Sequence, residues 1–344
     1  KLLQAFGRLQ HALGSIIQGD RDSIFFSLIT TKSNKPAKII GSLDIGGKNG
    51  WIRAYTTQAN RMADGTAFSH LLANHNRTIF SAYVGGSTTE NDIAISRKNY
   101  AGNNIWSKLI AARDASGRNI SERITHLSFE KDSSLLLAGV VDSINLTAFV
   151  AVTDTFGNLR WSKRYRTANA SIDGRLQGYG ALRLADSTYM LAGVVARAGQ
   201  KDRGFILKTR KNGDVDWGRT VSFNALDNTI INQISLDKNN DILIAGVNAD
   251  SVNKKTYIFI MKIRPDGSLV WNKKYTRVDG RSEFTGNLFA TSDGGSALIS
   301  SVVEDQLTKP SFIKLNGSGS SSCEENVTEQ VLTAALFFTD TLIW

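Results

Sequence analysis

FGNLRWSKRY at 156–165 reads as the end of one β-strand, a glycine turn, and a second strand carrying a Trp and a cluster of cations. The same phrase returns as PDGSLVWNKKY at 265–275. Glycine takes a positive φ at little cost, so a turn of this kind lets the chain reverse and pairs the flanking strands in register. The number of such phrases decides the fold.

Tryptophans stand at Trp51, Trp106, Trp161, Trp217 and Trp271, separated by 55, 55, 56 and 54 residues, a period that marks a structural repeat. An apolar strand precedes each later one, AFVAVTD, GFILKTR and IFIMKIR, and a sixth copy, SFIKLNGSGSSSC, puts Cys323 at the Trp position as a small apolar substitute. Upstream lies a second strand, LLLAGVV at 135–141, YMLAGVV at 189–195 and ILIAGVN at 242–248, with looser versions such as TIFSAYV at 78–84. Before it comes a third, such as ITHLSFE at 124–130, ending in a polar turn. Each module is thus a four-stranded antiparallel meander, and the expected fold is all-β: a β-propeller of six blades, or seven if residues 327–344 build part of another. The modules are placed at 8–56, 63–112, 118–167, 173–222, 226–277 and 279–326, with 327–344 as a C-terminal strand segment or a linker to a further domain. KLLQAFG at 1–7 matches an outer strand and is expected to close the ring against SFIKLNG at 311–317, removing two exposed edges.

Composition agrees. Apolar residues are 41% of 344, enough for a core, and three prolines against thirty glycines favour many short strands. No run of eighteen apolar residues exists, so no membrane-spanning helix is expected. The net charge of +10 raises the question of an anionic partner. Nucleic acid is not expected, because the cations recur by module instead of gathering in one groove with interleaved aromatics.

LLLAGVV, the DGG turn at 293–295 and FGNLRWSKRY resemble the propeller repeats common in secreted and surface proteins of Bacteroidota, whose blades read roughly DGGYxLAG, an apolar strand, then DxxGxxxWxKxY. The resemblance covers residues 1 to about 326. It implies export by the type IX secretion system, an extracellular or outer-membrane-associated location, and a binding or scaffolding role toward a protein partner of a surface assembly or an anionic glycan. A more distant resemblance to quinoprotein propellers meets six modules and one cysteine where those enzymes use eight blades and usually a vicinal disulfide.

Two residues after every module Trp comes a cation, Arg53, Lys108, Lys163, Arg219 and Lys273, with Tyr55, Tyr165 and Tyr275 two further on. Alternate strand residues share a face, so packing against the ring explains the recurrence. The tryptophans are read as blade-docking residues in preference to a sugar-stacking platform, and Arg164, Lys274 and Arg277 as the basic rim that meets an anionic polymer. His70 and His126 fall at matching positions on the first strands of adjacent modules, 36 and 35 residues before their tryptophans. A facing pair there could bind a metal or move a proton; ordinary strand residues are the favoured reading. Acidic pairs such as Glu324–Glu325 sit in loop-like sequence, and neither a nucleophile motif nor a phosphate-binding glycine loop is present. No cofactor, metal or catalysis is expected; the alternative is a polysaccharide-active enzyme with a site at the channel mouth.

Overall fold

The structure is a computed structural model that describes residues 11–19, 23–32, 35–47, 50–55, 69–74, 76–86, 91–113, 116–130, 134–142, 146–167, 174–196, 199–252, 254–275, 283–304, 307–321, 324–326, 331–334 and 337–341. Every regular element among them is a strand. The first sheet runs β1 (His11–Gln18), β2 (Ser23–Lys32), β3 (Lys35–Asp44) and β4 (Trp51–Tyr55) in order, and the second β5 (Ser69–Asn74), β6 (Thr78–Gly86), β7 (Asn91–Asn99) and β8 (Asn104–Ile110). The third holds β9 (Ala112–Arg113), β10 (Asn119–Phe129), β11 (Leu135–Asp142), β12 (Thr147–Thr153) and β13 (Leu159–Thr167). The fourth is β14 (Arg175–Arg183), β15 (Tyr189–Ala196), β16 (Arg203–Thr209) and β17 (Val215–Ser222), and the fifth β18 (Asn228–Leu236), β19 (Ile242–Asp250), β20 (Lys255–Ile263) and β21 (Leu269–Tyr275). The sixth has three strands among the described residues, β22 (Glu283–Ala290), β23 (Ser296–Glu304) and β24 (Leu307–Leu315).

Three short C-terminal strands follow, β25 (Glu324–Asn326), β26 (Val331–Ala334) and β27 (Phe337–Thr341). They add to the outer edges of β21, β17 and β13 respectively. The pairing is antiparallel where the register is defined: Lys274 faces Glu325, and Val221 faces Leu332. Glu324 and Glu325 therefore sit in a strand, which corrects the loop reading, because the edge of β21 supplies hydrogen-bond partners that a sequence window does not contain. The expected closure by residues 1–7, and Cys323, lie outside the described residues.

The chain divides into two compact units, one of Lys1–Ile144, Ala151–Ser162 and Thr341–Trp344, the other of Asn145–Val150 and Lys163–Asp340. In the first, Phe25, Ile40, Leu71 and Ile79 pack between the first and second sheets. In the second, Met190, Ile206, Val221, Ile231, Ile244 and Phe259 fill the space between the fourth and fifth, and Leu243, Ile260, Leu298 and Ile313 that between the fifth and sixth. Central strands such as TAFVAVT of β12 are buried throughout, hence their unbroken apolar sequence. No helix of the described residues is long and apolar enough to cross a membrane.

The LAG phrase has a specific cause. First strands β10, β14 and β18 each carry a bulge, at Ile124/His126, Gly178/Gly180 and Ile231/Gln233, and the residue before each bulge pairs with Gly139, Gly193 or Gly246 of the second strand. A methyl group at Gly193 would lie 1.9 Å from the Gln177 carbonyl oxygen, and one at Gly246 2.1 Å from that of Ile230. In these three sheets the extra residue pushes backbone onto the neighbouring strand, where glycine leaves room, whereas β1 and β22 bulge opposite Leu28 and Ser300. In the second sheet the sequence departs to AYV, with Tyr83 in the glycine position, and β5 pairs with β6 without a bulge.

Candidate functional site

The Trp-x-cation-x-Tyr phrase reaches forward to the turn of the following sheet. The Trp51 indole N–H donates to the Tyr100 carbonyl at 2.7 Å, and the Arg53 guanidinium to Asn103 Oδ1 at 2.8 Å. Lys108 donates to Asn158 Oδ1, and Lys163 pairs with Asp214 at 3.2 Å. Arg219 donates to the Gly267 carbonyl at 2.8 Å and Lys273 to Ser320 Oγ at 2.8 Å. The buried Tyr165 and Tyr275 hydroxyls donate to the carbonyls of Gly213, at 2.9 Å, and Gly319, at 2.7 Å. Four of the Trp rings lie on a turn glycine at positive φ: a methyl group at Gly102 would come within 2.7 Å of Trp51, at Gly157 within 2.7 Å of Trp106, at Gly267 within 3.0 Å of Trp217, and at Gly319 within 2.8 Å of Trp271. Glycine is thus required twice over, for its φ and for the ring above it. The five cations are engaged in holding sheet to sheet. Trp161 is half-buried on β13.

Of the rim residues, Arg164 is half-buried on β13, and the Lys274 ammonium lies 3.6 Å over the Tyr257 ring. Arg277 lies outside the described residues.

The structure brings His70 and His126 together. His70, on β5, pairs with Ala82, and His126, just after the bulge of β10, pairs with Ala138, so the two imidazoles occupy one register position on neighbouring first strands. His126 Nε2 lies 3.1 Å from Ser128 Oγ. Loss of hydration, and then the adjacent His70 ring, push the His126 imidazole down to about 3. His126 is therefore neutral at physiological pH, and the pair holds one proton at most. Tyr83, which pairs with Ser69 beside His70, has its phenol raised by burial and kept protonated. Sequence reading passed over Tyr83; the signal was the replacement of the module glycine. No group of three or more His, Cys, Asp or Glu able to hold a metal ion occurs among the described residues.

No protein-family model and no curated protein matches the sequence. Solved structures do match in fold. A polysaccharide lyase, an ulvan lyase bound to -[GlcA(1-4)Rha3S]-, is similar with a TM-score of 0.59 and 10% identity over 92% of this chain and 82% of that one. A protein of unknown function from Dyadobacter fermentans gives 0.54 and 10% identity, over 97% and 96% of the two chains. The β-propeller domain of the trilobed protease from Pyrococcus furiosus, with an open velcro topology, gives 0.50 and 10% identity over 96% and 97%. The expectation that the chain is no enzyme is corrected by the first of these: in the ulvan lyase this fold is that of a polysaccharide-cleaving enzyme. The expectation rested on finding no catalytic motif in the sequence, but a repeat fold assembles a site from unlike residues of different modules, which no local motif reports. The six antiparallel meanders and these likenesses make the fold a β-propeller.

Proposed function

We propose that this chain is a polysaccharide-active enzyme, working outside the cell on an anionic glycan by elimination, with His70 and His126 as its proton-handling pair. The observation that carries the reading is the placing of the two imidazoles at one register position of adjacent first strands, electrostatically coupled, with His126 held neutral beside Ser128. A pair that accepts one proton is suited to take it from the carbon next to a uronate carboxylate. His70 accepts that proton, the C–H electrons form the ring double bond, the bond to the leaving glycosidic oxygen breaks, and the proton returns to that oxygen. His126, neutral, orients the sugar without competing for the proton. The net charge of +10 favours an anionic polymer. Arg164, Lys274 and Arg277 are proposed as the rim that such a polymer follows, and the Bacteroidota-type repeats support export.

The test is incubation with a panel of uronate-containing polysaccharides, ulvan included, followed by ultraviolet absorbance of the unsaturated product. His70→Gln should abolish the signal and His126→Gln reduce it by about 10-fold or more, with circular dichroism unchanged. Full activity of His70→Gln, or new reducing ends without the unsaturated product, would sink the elimination reading.

A further inference from the structure

The fourth, fifth and sixth sheets share an ion pair of which the second sheet has one half. The turn joining the first two strands is the same structure at 74–78, 184–188, 237–241 and 291–295: its fourth residue, Arg77, Ser187, Asn240 or Gly294, has positive φ and donates its N–H to the carbonyl of the first. A lysine of the third strand reaches back to this turn. Lys208 of β16 pairs with Asp186 at 3.6 Å, Lys262 of β20 with Asp237 and Asp241 at 2.5 and 3.2 Å, and Lys314 of β24 with Asp293 at 2.7 Å. On β7 the same register position holds Arg97, which faces Trp106 as Lys208 faces Trp217 and Lys262 faces Trp271. Its turn contains no acid: Asn76 stands at the position of Asp186 and Asp293, and Asn74 and Thr78 at those of Asp237 and Asp241.

The result is a set of donors without acceptors. Arg97 is half-buried, its guanidinium lies 5.3 Å over the Phe80 ring, and it makes no ion pair among the described residues. Its Nε, the indole Nε1 of Trp106 and the amide Nδ2 of Asn74 are buried and find no hydrogen-bond acceptor there. The three side chains share one face of the second sheet. Trp106 faces Arg97, Arg97 faces Phe80, Phe80 faces Leu72, and Asn74 follows Leu72 by two residues on β5. Buried N–H groups are seldom left unpaired, because each forfeits its bonds to water with nothing in return. From this pattern we infer that the turn end of the second sheet binds the carboxylate of a ligand, held by Arg97 where the sister sheets supply an aspartate of their own. A carboxylate only accepts hydrogen bonds, offers two oxygens and matches the guanidinium fork, so it suits a site made of donors. Asn74 lies four residues, roughly 13 Å, along β5 from His70, so the inference stands apart from the elimination reading.

Heteronuclear NMR tests the assignment, since arginine Nε–H and indole N–H groups give separate resonances that Arg97→Gln and Trp106→Phe assign. Sodium glucuronate should move the Arg97 and Trp106 signals and leave the other indoles in place. Sodium chloride and glucose at the same concentration should move neither. Asn76→Asp returns a carboxylate to the position of Asp186 and Asp293, so it should raise the melting temperature and weaken glucuronate binding by about 10-fold or more. In Arg97→Gln the Trp106 signal should no longer respond. Signals indifferent to glucuronate, equal shifts in chloride or glucose, or undiminished glucuronate binding by Asn76→Asp would each overturn the proposal. A response to sodium sulfate in the absence of one to glucuronate would make this a sulfate site and overturn it as well.

Discussion

The second and fourth sheets are built from one module and part company at the glycine position of the second strand. In the fourth, β14 carries the bulge common to the module, between Gly178 and Gly180, and Gly193 takes the pressed backbone; in the second, β5 lacks the bulge, Tyr83 replaces the glycine, and His70 stands opposite Ala82. The regular copy shows what the module needs in order to pack. The irregular copy shows where the chain has spent a module position on something else, and beside that place stands His70, electrostatically coupled to His126.

The largest expected effect breaks the regular copy. Gly193→Ala drives a methyl group into the Gln177 carbonyl at 1.9 Å, backbone against backbone, and should cost about 4 kcal/mol or more. Alanine at the corresponding second-sheet site, Tyr83→Ala, should cost less, since no bulge presses there. Thermal denaturation of the two variants ranks them, and a Gly193→Ala protein as stable as Tyr83→Ala would refute the account of the LAG phrase.

Next come the turn glycines. Gly157 and Gly117 share positive φ values of 75° and 79°, but only Gly157 lies under a Trp; nothing stands within 4 Å of a methyl group at Gly117. Gly117→Ala should lose about 1–2 kcal/mol for its backbone alone, and Gly157→Ala clearly more. Equal losses in chemical denaturation would remove the Trp106 ring from the explanation.

Tyr275→Phe deletes a buried hydroxyl and leaves the Gly319 carbonyl without its donor, for an expected loss of about 1–3 kcal/mol. Hydrogen exchange should show it as faster opening of the turn at 316–320.

The coupled pair can also be tested by pH, through His126 on β10 of the third sheet. The unfolded imidazole of His126 titrates near 6.5 and the folded one near 3, so between these values the unfolded chain binds the extra proton. Stability should be undiminished by this group above about pH 6.5 and fall steadily as pH drops toward 3. His126→Asn should flatten the fall in melting temperature over that window; an unchanged profile would mean the ring is hydrated and titrates normally. Smallest is the effect of replacing Arg164, Lys274 and Arg277 together with Gln. Stability should barely change, while elution from an anionic column should move to lower salt because fewer counterions are released. Unchanged elution would dismiss the rim.

Much of this was open to reading. The spacing of Trp51, Trp106, Trp161, Trp217 and Trp271 carries the sheet count, since a large ring at a fixed interval has no cheaper cause than a repeated packing site. His70 and His126 were alignable by counting back from those rings. Their electrostatic coupling was not, because it depends on how neighbouring first strands face each other. A strand in 327–344 was one of two readings open there, but which edges β25, EEN, and β26, VLTA, would join was not legible: each is too short for alternation, and its place is set by the edge of β21 or β17 beside it. The bulges of β10, β14 and β18 were hidden for a different reason. They leave their mark on the partner strand, as a glycine, and none on the strand that bulges.

The forward reach of the module has a bearing on synthesis. Arg53 finds Asn103, Arg219 finds Gly267 and Tyr275 finds Gly319, so the outer strands β4, β17 and β21 each wait for a turn translated 44 to 50 residues later. At about 5–20 residues per second, the lag is several seconds for each step. A growing chain accordingly carries one unsatisfied tryptophan at its leading end, and each new turn locks the sheet made before it, like a zip fastened from behind. Force-sensing arrest sequences placed along the gene should report a pull as each turn clears the ribosomal tunnel, one per period, with its timing set by the glycine and not by the tryptophan.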